Sequence, residues 1–115
     1  MNRIALISGD GIGGEVLAEG VRVLDALGDF EYTRFPWGSA YHAETGRMMA
    51  EDGLETLASL DAIYFGAVGS RAVPDHVTLW GLRLAICQGF DQWANIRPVQ
   101  VYEGAPSVLQ ASLVR

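Results

Sequence analysis

The chain has 115 residues, half of them apolar, which is enough for one domain with a buried core. Its formal net charge is −6 at pH 7, which argues against the clustered positive charge that binds nucleic acid or anionic membranes. All eight basic residues are arginine, so the chain itself cannot perform Schiff-base chemistry or acid–base catalysis by lysine. The single cysteine, Cys87, excludes an internal disulfide framework and favours a reducing, cytoplasmic location. We find no apolar run long enough to cross a bilayer and no signal-peptide pattern.

The first segment predicts a strand, a glycine loop and a helix. Residues 3–8 form a short apolar run that is typical of a buried strand. The loop Gly9-Asp10-Gly11-Ile12-Gly13-Gly14 follows, and apolar residues then recur at three- and four-residue spacing as far as Leu27. Gly28 is the predicted C-terminal end of this helix.

Three shorter elements are predicted next. Residues 30–36 alternate in the manner of a second strand. A weaker helical stretch starts at Trp37-Gly38-Ser39, runs through Ala43 and ends near Gly46. Residues 51–57 are acidic at their start and apolar further on, which suits a short helix.

The segment 61–69 is the predicted centre of the fold. An apolar run leaves Asp61 and reads as a buried strand, and Gly66 and Gly69 bracket its exit. Glycine allows a ligand to approach the backbone closely. Ligands of open α/β sheets bind outside the carboxyl ends of the strands, so this loop is a candidate binding edge.

The later part of the chain predicts one more helix and one more strand. Thr78 is the predicted cap of a helix that runs to about Gln88. Residues 91–102 are expected to be extended, because Pro98 disfavours the α region at Arg97. Residues 103–115 carry no strong pattern. The alternation of strands and helices predicts an α/β fold with a mostly parallel sheet and flanking helices.

The glycine loop matches the spacing of a dinucleotide fingerprint, since Gly9-x-Gly11-x-x-Gly14 follows a predicted strand and opens a helix. That fingerprint also needs an acidic residue at the end of the second strand, where this chain has Arg34-Phe35-Pro36-Trp37. We therefore interpret the loop as a tight structural turn in preference to a pyrophosphate cradle.

Two arginines after the central loop are candidates for binding an anion. Arg83 lies four residues before Cys87, so both would share one helix face, and Asn95 and Arg97 would face one way on a strand. Taken alone, Arg83 fits a solvated charge and Arg97 a structural ion pair at least as well. Together they favour a carboxylate-binding crevice, because the guanidinium fork matches carboxylate geometry.

No catalytic or metal-binding residue is predicted within the chain. His42 and His76 lie far apart in sequence without the spacing of metal ligands, and both are interpreted as surface or loop residues. Cys87 has no histidine close by, and no hydroxyl nucleophile lies in a recognisable motif.

The motifs together are more specific than any one of them. The run Gly9-Asp10-Gly11-Ile12-Gly13-Gly14-Glu15-Val16 resembles the Gly-Asp-Gly-Ile-Gly-Pro-Glu-Val opening of the β-decarboxylating dehydrogenases, which are the isocitrate and 3-isopropylmalate dehydrogenases and their relatives. Gly66-Ala67-Val68-Gly69 and Asn95-Ile96-Arg97-Pro98 are similar to two further family landmarks, in the same order and spacing. Four segments resemble the tartrate and D-malate dehydrogenase branch, namely residues 46–49, 61–66, 73–81 and 90–92.

This resemblance implies an isopropylmalate-dehydrogenase-like fold that is not a Rossmann fold. It implies oxidation of a small 2-hydroxy dicarboxylic acid of the malate or tartrate type by NAD or NADP, with decarboxylation and with Mg²⁺ or Mn²⁺, in a homodimer. The substrate would bind Arg83 and Arg97. The implied cofactor contacts are Ile12, Gly66, Ala67, Val68, Gly69 and Thr78.

The chain departs from the family pattern at two positions. Gly14 stands where the family usually has proline, and Cys87 stands where it usually has a substrate-binding arginine. Arg83 lies one helical turn earlier, at a position that contacts the variable part of the substrate in relatives. Either Arg83 takes over the lost contact, or the protein prefers a different acid.

Length is the third departure, because family members are several times longer. We expect residues 1–115 to be the N-terminal part of such an enzyme, without its second domain, its catalytic tyrosine and lysine or its metal aspartates. Two interpretations remain open. The chain is either part of a malate- or tartrate-type dehydrogenase that is inactive alone, or a non-catalytic remnant that binds a ligand or oligomerises.

Overall fold

A computed structural model describes residues 1–110 and shows a parallel sheet flanked by helices. The strands are β1 (Asn2–Gly9), β2 (Phe30–Phe35) and β3 (Ala62–Ala67). The helices are α1 (Gly13–Leu27), α2 (Ser39–Thr45), α3 (Gly53–Ala58), α4 (Asp75–Thr78) and α5 (Leu84–Gly89), with a π-helical turn (Leu79–Arg83) between the last two. The predicted α/β class is confirmed, as are the first three strands.

The strand β1 lies in the middle of the sheet and pairs in parallel with β2 on one side and β3 on the other. Ile4, for example, lies opposite Tyr32 of β2 and Ala62 of β3. Because all three strands run the same way, their carboxyl ends lie at one edge of the sheet, here called the carboxyl edge. The opposite edge, where the strands begin, is called the amino edge.

The core lies on both faces of β1, because successive side chains of a strand point to opposite faces. Ile4 and Leu6 pack against Leu17 and Val21 of α1 on one face. On the other face a larger cluster forms between β1, the later helices and the loops that precede them. Its buried members are Ala5, Ile7, Trp37, Met48, Leu57, Leu82 and Ile86. Burial on both faces explains why residues 4–7 form an uninterrupted apolar run in the sequence.

The predicted fourth strand is wrong. Residues 92–102 have no strand pairing, and the sheet within residues 1–110 contains three strands. The chain leaves α5 through Asp91, whose φ of 51° is in the left-handed region, and Trp93 and Ile96 beyond it are 90% and 88% exposed. Pro98 restricts only the local backbone. A strand also needs a neighbouring strand with which its backbone can form hydrogen bonds, and residues 92–102 have none.

The predicted cap at Thr78 is also wrong. The helix begins three residues earlier, at Asp75, with Pro74 at its N-cap position. The Pro74 carbonyl accepts the first hydrogen bonds of the helix, from the Val77 N–H at 2.9 Å and the Thr78 N–H at 3.1 Å. Thr78 lies inside the helical segment, where its hydroxyl donates a hydrogen bond to the Asp75 carbonyl at 3.2 Å.

The longest helix, α1, ends as predicted, since the Gly28 N–H donates to the Leu24 carbonyl at 3.1 Å. Among residues 1–110, no helix is both long enough and apolar enough to span a bilayer.

Candidate functional site

Three glycines bring the end of β1 into direct backbone contact with the end of β3. A Cβ atom on Gly9 would lie 1.8 Å from the Ala67 carbonyl oxygen, and one on Gly66 would lie 2.4 Å from the Ser8 carbonyl oxygen. A Cβ atom on Gly13 would lie 2.1 Å from that same Ser8 oxygen. Any larger residue would therefore force the strands or α1 apart, and the glycines serve close packing at the carboxyl edge.

The carboxylate of Asp10 occupies the centre of this edge. It accepts hydrogen bonds from the Ser39 N–H at 2.7 Å, the Ser39 hydroxyl at 2.8 Å and the Gly69 N–H at 3.0 Å. The Asp10 N–H donates to the Ala67 carbonyl at 2.6 Å. The Asp10 carboxylate thus takes the N–H groups of Ser39 and Gly69. Within the glycine loop itself, the Gly13 N–H donates to the Asp10 carbonyl at 3.1 Å, which is the short-range bond of a tight turn.

These hydrogen bonds set the charge state of Asp10. Burial by itself would raise the pKa of this carboxyl, but the bonds from Gly69 and Ser39 stabilise the ionised form and hold the pKa below its ordinary value of 3.8. Asp10 is therefore a fixed negative charge at neutral pH. It sits among backbone and hydroxyl donors rather than beside a cation.

The predicted cofactor residues Ile12 and Gly69 flank Asp10 and are exposed. Ile12 is 67% exposed at the start of α1. Gly69 has a φ of 145°, and a Cβ atom on it would meet nothing within 4 Å. An exposed apolar side chain and open glycine backbone at the same edge of the sheet allow a ligand to approach the chain closely.

The remaining predicted cofactor residues are less accessible. Gly66 and Ala67 belong to β3 and are half-buried, and Val68 packs against the larger core cluster. Thr78 is fully buried, with its hydroxyl bonded inside its own helix. A role for Thr78 in cofactor binding stays a prediction, and in this conformation its side chain is turned away from solvent.

A cavity of about 300 Å³ lies beside β3 and contains Arg83. Its lining residues are Ile63, Phe65, Gly66, Arg83, Ile86, Cys87 and Gln92. Arg83 and Cys87 therefore share a helix face as predicted. Gly66 lines the cavity and also begins the candidate cofactor loop. A guanidinium, a thiol and an amide above an apolar floor suit a small acid with one anionic end.

Arg83 is exposed and forms none of the ion pairs found among residues 1–110. It closes the π-helical turn, and such turns are frequent at functional sites. Arg97, by contrast, lies exposed in the irregular segment after α5, and it does not line the cavity that contains Arg83. The described residues thus do not bring the two predicted substrate arginines into one cavity.

Sequence reasoning missed a second groove, of about 490 Å³, which contains both histidines. His42 of α2 and His76 of α4 line it together with Arg47, Met49 and Trp80. Their separation of 34 positions hid this shared lining, which exists only in the folded chain. Within residues 1–110, no group of three or more histidine, cysteine or acidic side chains could hold a metal ion.

Comparison with known proteins decides the family. The model of the isocitrate/isopropylmalate dehydrogenase family matches residues 3–115. The chain belongs to this family. It is 58% identical over 108 residues to a probable tartrate dehydrogenase/decarboxylase of Agrobacterium vitis, covering 89% of this chain and 30% of that protein. It is 47% identical over 114 residues to a D-malate dehydrogenase [decarboxylating] of Escherichia coli, covering 93% of this chain and 32% of that protein.

Solved structures place the fold in the same family. The β-decarboxylating dehydrogenase of Thermococcus kodakarensis, in its apo form, superimposes with a TM-score of 0.67 at 33% identity. The match covers 79% of this chain and 27% of that protein. The isopropylmalate-dehydrogenase-like fold is thus confirmed for the part that is present. The chain spans about a third of the length of the relatives it matches.

Proposed function

We propose that residues 1–115 form the N-terminal part of a metal-dependent dehydrogenase that oxidises and decarboxylates a malate- or tartrate-type 2-hydroxy acid with NAD or NADP. The observation that carries this proposal is the cavity beside β3 that Arg83 and Gly66 both line. It joins a candidate carboxylate ligand to a candidate cofactor loop. The names of the relatives, tartrate and D-malate dehydrogenases, support the class of acid.

Each part of the proposed site has a separate task. Arg83 binds the discriminating end of the acid. Arg97 binds the carboxylate common to all substrates once the remainder of the protein packs against the segment after α5. Ile12 and the loop 66–69 support the nicotinamide ring, which accepts the hydride when bound. The described residues provide no metal ligand set, so the proposed Mg²⁺ or Mn²⁺ would depend on residues elsewhere in the protein.

The second domain, the acid–base residues and the partner subunit of a homodimer would likewise come from outside residues 1–115. A cytoplasmic location belongs to the same proposal. It rests on the single cysteine, which suits a reducing compartment.

A second candidate is a non-catalytic remnant that binds a ligand or oligomerises. The run of exposed apolar side chains after α5 favours it, because such a surface associates readily. Its members are Trp93, Ile96, Val99, Tyr102, Val108 and Leu109. The intact mass of the native protein separates the two candidates, since an enzyme of this family requires a protein about three times as long, as its relatives show.

The activity test uses this chain joined to the C-terminal part of a relative, here called the completed enzyme. We expect it to form NADH or NADPH from D-malate or tartrate with Mn²⁺ present, and the 115-residue chain alone to form none. Arg97→Ala should lower kcat/KM for all acids by about two orders of magnitude, because a buried carboxylate would lose a charged partner.

Arg83→Leu is the matched variant in the same experiment. It should change the ranking among malate, tartrate and apolar-substituted malates, because a site that pairs a charge discriminates differently from an apolar one. An unchanged ranking would show that Arg83 is a solvated surface charge. A completed enzyme without activity on any of these acids would refute the proposed function.

A further inference from the structure

Asp10 is the one side chain in residues 1–110 whose hydrogen bonds join the loop after β1 to both the start of α2 and the loop after β3. We propose that Asp10 is a positioning residue, which holds the loop after β3 in the conformation that receives the nicotinamide cofactor. The cofactor part of this inference rests on the proposed function. The restraint of the loop after β3 by Asp10 is independent of the proposed function.

The loop after β3 needs such a restraint because packing cannot supply it at Gly69. This residue has no side chain, its backbone is exposed, and its surroundings are open at the position of a Cβ atom. Its φ of 145° is open to glycine and rare for other residues. The 3.0 Å hydrogen bond from its N–H to Asp10 fixes a backbone that would otherwise sample several conformations.

The other end of this connection is rigid. The Gly38 N–H donates to the Met48 carbonyl at 3.1 Å, and Met48 is buried in the larger core cluster. A Cβ atom on Gly38 would lie 2.9 Å from the Asp10 carboxylate, so the segment before α2 packs directly against it. Asp10 therefore attaches the loop after β3 to a segment that the core already holds.

Only a carboxylate satisfies this arrangement. Three donors converge on Asp10, and an ionised carboxylate offers acceptor oxygens alone. An asparagine would turn its NH₂ group towards at least one N–H or hydroxyl donor, so Asp10→Asn must break a hydrogen bond or rotate. Ser39→Ala removes one donor and leaves both N–H groups bonded, whereas Ser39→Thr keeps all three donors.

Amide hydrogen exchange in the 115-residue chain tests the hold on the loop. Asp10→Asn should raise the exchange rate of the Gly69 amide by about tenfold, because the Gly69 N–H then faces an NH₂ group or a neutral amide oxygen in place of a charged carboxylate. Ser39→Ala should raise it less, and Ser39→Thr should leave it unchanged. The control is Asp61→Asn, since Asp61 joins β1 to the start of β3 at the amino edge. Exchange at Gly69 that stays unchanged in Asp10→Asn would overturn the inference.

Steady-state kinetics of the completed enzyme test the role towards the cofactor. A displaced loop weakens cofactor binding and leaves the chemical step intact, so Asp10→Asn should raise KM for NAD or NADP by about tenfold, with kcat within about twofold. A KM equal to that of the wild type, or a loss confined to kcat, would refute the cofactor role. An inactive wild-type completed enzyme counts against the proposed function, while the exchange experiment still decides the hold on the loop.

Discussion

The two edges of the sheet use the same residue type in different ways. At the amino edge, the carboxylate of Asp61 accepts the Arg3 N–H at 2.7 Å, and the Asp61 N–H donates to the Arg3 carbonyl at 2.9 Å. Both side chains are about half exposed, and the Arg3 guanidinium donates to the Ser59 carbonyl. At the carboxyl edge, Asp10 joins three separate segments through Ser39 and Gly69.

This difference shows where the fold can carry a function. The contacts of Asp61 connect the start of β1 to the turn before β3. They therefore stabilise the pairing of these two strands and hold no loop at the carboxyl edge. The contacts of Asp10 hold the loop after β3, whose Gly69 backbone is exposed, and Gly66 near the end of β3 lines the cavity that contains Arg83. A parallel sheet places all its exit loops at one edge, which is why a binding site gathers there.

The largest effect is expected from the glycines that bring the strands together at the carboxyl edge, and two adjacent positions give a matched pair. Gly13→Ala would place a Cβ atom 2.1 Å from a backbone oxygen, whereas Gly14→Ala meets nothing within 4 Å. Gly13→Ala should lower the free energy of unfolding by about 3 kcal/mol or more through forced backbone shifts. Gly14→Ala should raise it by up to about 1 kcal/mol, because alanine favours the helix.

Urea denaturation of the two variants measures these changes. Equal stabilities for Gly13→Ala and Gly14→Ala would mean that the close backbone contact at the carboxyl edge is not a constraint on the sequence.

The strands β1, β2 and β3 were predictable from the sequence because a buried strand requires a recognisable order of apolar residues along the chain. Residues 4–7 of β1 are buried on both faces, so the run is apolar without alternation, and the glycines that follow it mark the turn. The shared face of Arg83 and Cys87 followed from helical spacing alone. Such features depend on residues close in sequence.

Features that depend on tertiary contacts could not be read in this way. The expected strand at residues 91–102 has no neighbouring strand to pair with, and the local sequence pattern does not reveal this. The groove lined by His42 and His76 brings together residues of α2 and α4 that lie 34 positions apart in the sequence. The role of Asp10 was hidden for the same reason, since its partners Ser39 and Gly69 lie 29 and 59 residues away.

A smaller effect, dependent on pH, is expected for Asp10. Its pKa in the folded chain is held below 3.8 by hydrogen bonds that outweigh burial, so folding favours the ionised form. The stabilisation is complete well above pH 3.8 and is lost as the pH falls through the folded pKa. The difference in unfolding free energy between wild type and Asp10→Asn should therefore shrink below about pH 4. Urea denaturation between pH 3 and 7 measures it, and a constant difference would contradict the role of the charge.

The smallest effect is expected at the amino edge, from Asp61→Asn. The side chain of Asp61 is 51% exposed, and its carboxylate lies 4.0 Å from the Arg3 Nε, so solvent screens the charge. An asparagine oxygen can still accept the Arg3 N–H, which leaves the contact between β1 and β3 in place. The free energy of unfolding should fall by about 0.5 kcal/mol or less, and Asp61→Ala should cost about 1 kcal/mol. Thermal and urea denaturation at pH 7 compare the loss of unfolding free energy in Asp61→Asn with that in Asp10→Asn. Equal losses would mean that the two carboxylates only connect neighbouring strands and stabilise the sheet equally. The distinct role assigned to Asp10 at the carboxyl edge would then be wrong.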